Sequence, residues 1–277
     1  MRTVGQFKQK TKPELIFQKE ETFHDTWAES INIDEVIVDG FFEAYTSPEN
    51  RMILSVLGDI KGKKILELGC GAGEASVYFA RKGADVTAAD ISSGMLEVVQ
   101  KVAEKYNVSL QTTKCYSHKI YFEDESFDIV YAANLLHHVD IESTVVEVHR
   151  VLKKGGIFVS WDPLAHNPAI NVYRRIATKV RTQDEHPLKM NDLKIFKKYF
   201  SRVESDATWF FTLWIFIKFY FIDRINPNKE RYWKKILIEH KKLEKMYKSL
   251  DKIDTLFFKL FPFMKKYCWN IIIFSYK

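Results

Sequence analysis

Through the middle of this chain, short apolar blocks alternate with segments whose apolar positions recur every three or four residues. KKILELGC (63–70), ADVTAAD (84–90), SLQTTKC (109–115), FDIVYAAN (127–134) and GIFVSWD (156–162) are the short runs, and they predict strands. EASVYFARKG (74–83), SGMLEVVQKVAEKY (93–106) and ESTVVEVHRVL (142–152) carry the helical period, with Gly83 closing the first and Lys153-Lys154-Gly155-Gly156 following the third. Such alternation predicts an α/β fold with a parallel sheet covered on both faces. Upstream, residues 13–57 read as helices, with a helix start at Ser47-Pro48.

Beyond Pro163 the pattern loosens. Residues 163–190, rich in Pro, Asn, Arg and His, read as an insertion over the sheet's edge. DLKIFKKYF (192–200) reads as a helix, SRVESDATW (201–209) as a strand, residues 229–260 as a basic helical stretch, and CWNIIIFSY (268–276) as a strand. The very apolar WFFTLWIFIKFYFI (209–222) is 14 residues long and contains Lys218. A membrane span needs about 20 apolar residues. Burial against the core or across a homodimer interface is the expectation; the alternatives are contact with a membrane surface and a greasy wall for an apolar substrate.

Composition narrows the class. At 277 residues the chain fits one large α/β domain with an elaboration. Cys70, Cys115 and Cys268 lie far apart and outside any CxxC spacing, which argues for reduced thiols in a cytoplasm and against a disulfide framework or zinc site. The first residues carry charges but no apolar h-region, so no secretory signal is expected. The net charge of +6 is uneven: from Arg224 onward there are 14 Lys/Arg against 5 Asp/Glu. The bland reading is a solvated Lys-rich helical face, and the alternative an acidic partner or surface.

Candidate chemistry begins in the loop Glu67-Leu68-Gly69-Cys70-Gly71-Ala72-Gly73-Glu74. Its glycines let the backbone approach a ligand closely, and the helix that follows offers free N–H groups and partial positive charge. The loop therefore suits an anionic group, either a dinucleotide pyrophosphate or the carboxylate of an amino-acid moiety. Asp90 ends the second strand, where an acid accepts both hydroxyls of a ribose. Together they point to an adenosine-containing cofactor. The dinucleotide fingerprint is G-x-G-x-x-G, whereas this loop is G-x-G-x-G. Glu67 would be awkward beside a pyrophosphate but suits a ligand carrying an ammonium and a sulfonium, which disfavours a nicotinamide oxidoreductase.

ILELGCGAGEASVYFARKGADVTAADIS (65–92) resembles motifs I and II of the class I S-adenosylmethionine-dependent methyltransferases of the small-molecule, methyltransferase-11-like type. FEDESFDIVYAANLLHHVD (122–140) resembles their fourth-strand signature and VHRVLKKGGIFVSWD (148–162) their fifth-strand block. The resemblance covers about residues 50–162 in order and spacing. It implies a Rossmann-like seven-stranded sheet, mostly parallel with an antiparallel last strand, and S-adenosyl-L-methionine as cofactor. Glu67, Gly69, Cys70, Gly71 and Gly73 would hold its methionine portion and Asp90 its ribose, with Ile91, Met95, Asn134 and Leu135 completing the site. In place of the family's Gly-Asp-Ala after strand three stand Cys115, Tyr116 and Ser117, so adenine is expected to rest on backbone groups plus stacking or a hydroxyl. Strands six and seven normally meet in a short hairpin; here a long segment intervenes. The expected organisation is an N-terminal helical lid (1–57), a core of 58–209 plus 267–277, and insertions at 163–190 and 210–266 forming a cap or interface. Phe23, His24 and Trp27 would close over the cofactor or pack in the core.

On the acceptor side, His137 and His138 follow the fourth strand, where the methyl-bearing sulfur should lie. Histidine serves as a general base near neutral pH; the alternative is that one ring caps the helix starting near Asp140. Asp162 closes the fifth strand at the same rim, or caps the turn before Pro163. These three are the candidate catalytic residues, and no metal is expected. His166, Arg174, Arg181 and His186 are either solvated surface or a basic rim that orients an acidic acceptor. Methyl transfer mainly requires alignment. O-methylation of a small-molecule or peptide acceptor, a carboxylate in particular, is the expectation. N-methylation of a small molecule, a lipid-like acceptor at a membrane surface, and a module that binds cofactor without turnover stay open. No nucleic-acid partner is expected, since the Asn/Asp-Pro-Pro-Tyr type motif is missing after strand four.

Overall fold

The computed structural model describes residues 12–176 and 185–277. Among these, β1 (Lys64–Leu68), β2 (Asp85–Asp90), β3 (Gln111–Lys114), β4 (Phe127–Ala133), β5 (Leu152–Pro163), β6 (Arg202–Thr208) and β7 (Asn270–Tyr276) form one sheet in the order β3-β2-β1-β4-β5-β7-β6. The first five pair in parallel, and β7 runs antiparallel between β5 and β6. Parallel neighbours need a crossover. Here α4 (Glu74–Arg81), α5 (Ser93–Lys105) and α6 (Ile141–Val151) provide three of them, where the helical periods lie. The expected Rossmann-like sheet with its antiparallel last strand is therefore what forms.

Period-two geometry sends adjacent residues of a strand to opposite faces. Ile65, Val86 and Tyr131 pack on one side with Phe79, whereas Leu66, Val130 and Phe158 pack on the other with Val148 and Phe196. Capping fixes the helix starts at the rim. Ser92 Oγ accepts from Met95 N at 3.0 Å, and Asp140 Oδ1 accepts from Ser143 N at 2.8 Å. Asp140 thus caps α6 itself, and neither preceding histidine serves that purpose.

Among the described residues, three α-helices precede the sheet: α1 (Lys12–Glu29), α2 (Val38–Glu43) and α3 (Pro48–Leu57), the last with Pro48 in its first turn. α1 lies on α5, where Asp25 Oδ1 accepts from Ser92 Oγ at 2.5 Å and from Gly94 N at 3.1 Å. After β5 come α7 (Pro168–Ile176) and α8 (Leu193–Tyr199). The apolar run after β6 splits into a 3₁₀ turn, Phe211–Leu213, and α9 (Trp214–Phe221). The basic stretch breaks at Glu239 into α10 (Tyr232–Ile238) and α11 (His240–Leu260). Trp209, Leu213, Ile215, Phe216, Phe219, Tyr232 and Tyr247 bury together against Ala44, so much of the apolar run is core, as expected. Asp254 pins α11 to that turn, accepting from Phe211 N (2.7 Å), Thr212 N (3.2 Å) and Thr212 Oγ1 (2.9 Å). No helix among the described residues is long and apolar enough to cross a membrane.

Candidate functional site

Strands of a parallel sheet end together, and the ends of β1, β2, β4 and β5 open on one cavity of about 400 Å³. Gly69, Gly71 and Gly73 turn the chain from β1 into α4 with φ of 69°, 50° and 84°. A Cβ on Gly69 would stand 2.9 Å from Leu135 Cδ1, and one on Gly73 would stand 2.9 Å from Val99, whereas one on Gly71 would meet nothing within 4 Å. The open side at Gly71 is the cavity. Asp90 reaches across from β2: its Oδ2 accepts from Gly71 N at 3.0 Å and its Oδ1 from Ser92 N at 2.9 Å. Glu67 lies beneath the loop and accepts from Ser76 Oγ. Burial pushes its carboxyl up to about 8. Cys70 lines the cavity by its backbone position, and burial keeps its thiol protonated; burial likewise pushes Cys115 up to about 12.

The acceptor side is built around the two histidines. His137 Nδ1 lies 2.7 Å from Asp162 Oδ1, and the His137 backbone N also donates to that oxygen at 3.2 Å. Burial drives the Asp162 carboxyl well above its ordinary value, opposed by the backbone N–H groups of His137 and Leu136. The contact with Asp162 orients the His137 ring. His138 packs on His137 with ring centroids 4.1 Å apart, and its Nδ1 is 3.7 Å from Glu20 Oε2 on α1. The same oxygen is 3.7 Å from His24 Nε2. Burial lowers the His24 pKa, and Asp90 opposes that shift. His137, His138 and Glu185 each bring one ligand-type atom within 4.8 Å of the others, a grouping able to hold a metal ion.

Glu67, Gly69, Cys70, Gly71, Asp90, Ile91, Ser117, Asn134, Leu135, His137, His138 and Arg174 all line the cavity, as do Phe23, His24 and Trp27. The other candidates stand off it. Gly73 is filled in by Val99, and Met95, in the first turn of α5, is fully buried in the core. Tyr116 is not among the lining residues and packs against Phe17 and His118, with centroids 5.5 and 5.6 Å away. Asp162 sits behind His137 with no exposed surface. His166 and His186 face solvent, and only the backbone of His186 reaches the site, donating to His137 O at 2.7 Å. Arg181 lies outside the described residues.

Several residues went unforeseen. Glu49 and Asn50, in the first turn of α3, plug the wall between β4 and β7. Glu49 Oε1 accepts from Thr208 Oγ1 at 2.5 Å and Asn270 Nδ2 at 2.8 Å. Asn50 Oδ1 accepts from Tyr131 OH at 2.7 Å and Trp161 Nε1 at 3.0 Å. Trp161, Trp209, Trp233, Trp269 and Tyr173 supply aromatic walls. Arg231, at the start of α10, also lines the cavity, its guanidinium 4.2 Å from the centre of the Trp27 ring. Burial lowers its pKa, and it makes no salt bridge among the described residues.

Residues 66–160 match the family model described as Methyltransferase domain. The chain carries a methyltransferase domain. Together with the sheet order, this bears out the resemblance to the class I methyltransferases. Outside that domain the likeness thins. An uncharacterized methyltransferase of Synechocystis is 37% identical over 124 residues, 43% of this chain and 55% of that one. A ubiquinone biosynthesis O-methyltransferase of Alkalilimnicola ehrlichii is 34% identical over 118 residues, 42% of this chain and 47% of that one. The matched stretch thus spans about half the length of these curated relatives. The phosphoethanolamine N-methyltransferase 2 of Haemonchus contortus, solved with S-adenosyl-L-methionine, shares the fold, with a TM-score of 0.58 and 19% identity over 94% of this chain and 59% of that one.

Proposed function

We propose that this protein is an S-adenosylmethionine-dependent methyltransferase that methylates an oxygen of a small acidic acceptor with an apolar body. The observation that carries this reading is that the glycine loop and Asp90 open on the same cavity as the histidine pair, Arg231 and the tryptophans. The residues fit the cofactor. The uncovered face of Gly71 leaves room for its amino-acid moiety, and the Glu67 carboxyl ionises against an ammonium. Asp90, already tied to two backbone N–H groups, keeps lone pairs for ribose hydroxyls. Ser117, held by Thr144 at 3.0 Å, and Cys115 would flank the adenine. Bound there, the cofactor supplies a methyl group on an electron-poor sulfur.

The chain's own residues would do the rest. Stacked on Trp27 and half-buried, Arg231 would pair with a carboxylate or phosphate of the acceptor, and the aromatic walls would cover its apolar body. His137, oriented by Asp162, and His138 would take the proton of a hydroxyl acceptor; a carboxylate acceptor is already ionised and would need only alignment. Titration calorimetry with S-adenosylmethionine and its demethylated product tests the first half of the reading. Transfer of a labelled methyl group to a panel of carboxylated and phenolic acceptors tests the second. A folded protein that binds neither cofactor form would overturn the reading.

A further inference from the structure

Helix α11 carries two unlike stripes. Leu243, Tyr247 and Asp254 are buried against the rest of the insertion. Ile253, Leu256 and Leu260, spaced three and four apart, face solvent with 50%, 63% and 67% of their surface exposed. Phe263, 65% exposed, prolongs this row past the helix end. Ring contacts join the row to the start of the insertion: Phe211 to Phe257 at 5.2 Å, Phe257 to Phe261 at 5.1 Å, and Phe261 to Phe263 at 6.3 Å. Single exposed leucines are ordinary, but a continuous apolar row marks a contact surface.

Charge identifies what covers it. Lys252 and Lys259 lie two turns apart along the same side of α11, and Lys266 follows the row; all three are exposed. Lys248 and Lys265 are neutralised by Glu244 and Asp206, whereas these three form no salt bridge among the described residues. We propose that this face docks on an anionic membrane surface, with the apolar row at the boundary between headgroups and acyl chains and the lysines on lipid phosphates. A second copy of the chain is a poorer partner. From Arg224 onward 14 Lys/Arg stand against 5 Asp/Glu, so two such faces repel. The insertion is rooted at Trp209 and Trp269, both lining the cavity and joined by a backbone hydrogen bond of 3.1 Å. Docking would therefore bring the aromatic side of the cavity toward the bilayer. Delivery of an amphiphilic acid from the lipid to that cavity rests on the methyltransferase reading; the docking itself does not.

Flotation of the full chain with phosphatidylcholine vesicles, alone or mixed with phosphatidylglycerol, tests it. The wild type should float with the mixed vesicles, not with neutral ones, and less so as salt rises. Leu256→Asp with Leu260→Asp should abolish flotation, and Lys252→Glu with Lys259→Glu should weaken it by roughly tenfold or more. Thermal unfolding and cofactor calorimetry on the same samples separate loss of docking from loss of fold or of cofactor binding. Wild type that ignores the mixed vesicles, or variants that float equally well, would overturn the proposal. So would light scattering that shows a dimer which the double leucine variant dissociates, since the face would then belong to a second copy.

Discussion

Glu67 is the residue whose charge depends most on what occupies the cavity. Its folded value of about 8 lies above the ordinary 4.5, so at neutral pH the ligand-free carboxyl holds a proton. A bound ammonium favours the ionised form, so cofactor binding at pH 7 should release close to one proton, and affinity should climb with pH until about 8. Calorimetry in buffers of different ionisation enthalpy counts that proton; a count of zero at pH 7 would contradict the assignment. The same shift has a stability consequence. A carboxyl whose folded pKa is raised costs nothing below its unfolded value, and its cost grows as pH rises toward the folded one. Glu67→Gln should therefore stabilise the ligand-free protein at pH 7 by up to about 3 kcal/mol and leave it unchanged near pH 4, while weakening cofactor binding. Unfolding curves at both pH values decide this. Arg231→Ala should chiefly raise the acceptor KM, whereas His138→Ala should lower kcat with cofactor affinity nearly unchanged, a contrast steady-state kinetics resolves. Glu67 and Asp90 were legible in the sequence because a local loop and a strand end position them. Arg231 was not, because among the basic residues of 229–260 nothing local distinguishes a cation stacked in a cavity from one in water.

At the scale of elements, the crossover helices and strands followed from periodicity, and the first turn of α3 shows where periodicity fails. An acid and an amide at a helix start look like ordinary first-turn residues. Their importance lies in partners 81 to 221 positions away: Tyr131, Trp161, Thr208 and Asn270. Tertiary proximity of that kind leaves no trace in local pattern. α1 is a second case. One of its ties to the core is Asp25, which accepts from Ser92 and Gly94 at the start of α5. Those bonds hold down the Asp25 pKa, with the Ser92 bond the largest cause. Asp25→Ala should free α1 to lift, exposing the Asp90 side of the cavity. Cofactor affinity should fall about tenfold, the worth of one hydrogen bond to a charged group, and proteolysis within residues 12–29 should quicken. Unchanged protease sensitivity would show that α1 is held by its apolar contacts instead.

At the scale of the whole molecule, the tryptophans are gathered in one place. Five of the six in the sequence line the cavity, and the exception, Trp214, is half exposed on α9. Acceptor binding should shift and quench the intrinsic emission strongly, and Trp214→Phe should leave that change intact; a signal that vanishes with Trp214 would place the response on the surface. The sheet order also governs how the molecule can be made. β6 ends at Thr208, yet its neighbour β7 begins only at Asn270 and must slot between β6 and β5. A chain emerging from the ribosome can assemble its five parallel strands and the glycine loop while the outer edge of β5 is still bare. Until the insertion and β7 have been translated, that edge is a template for pairing with other nascent chains, and the wall bearing Trp269 and Asn270 does not yet exist.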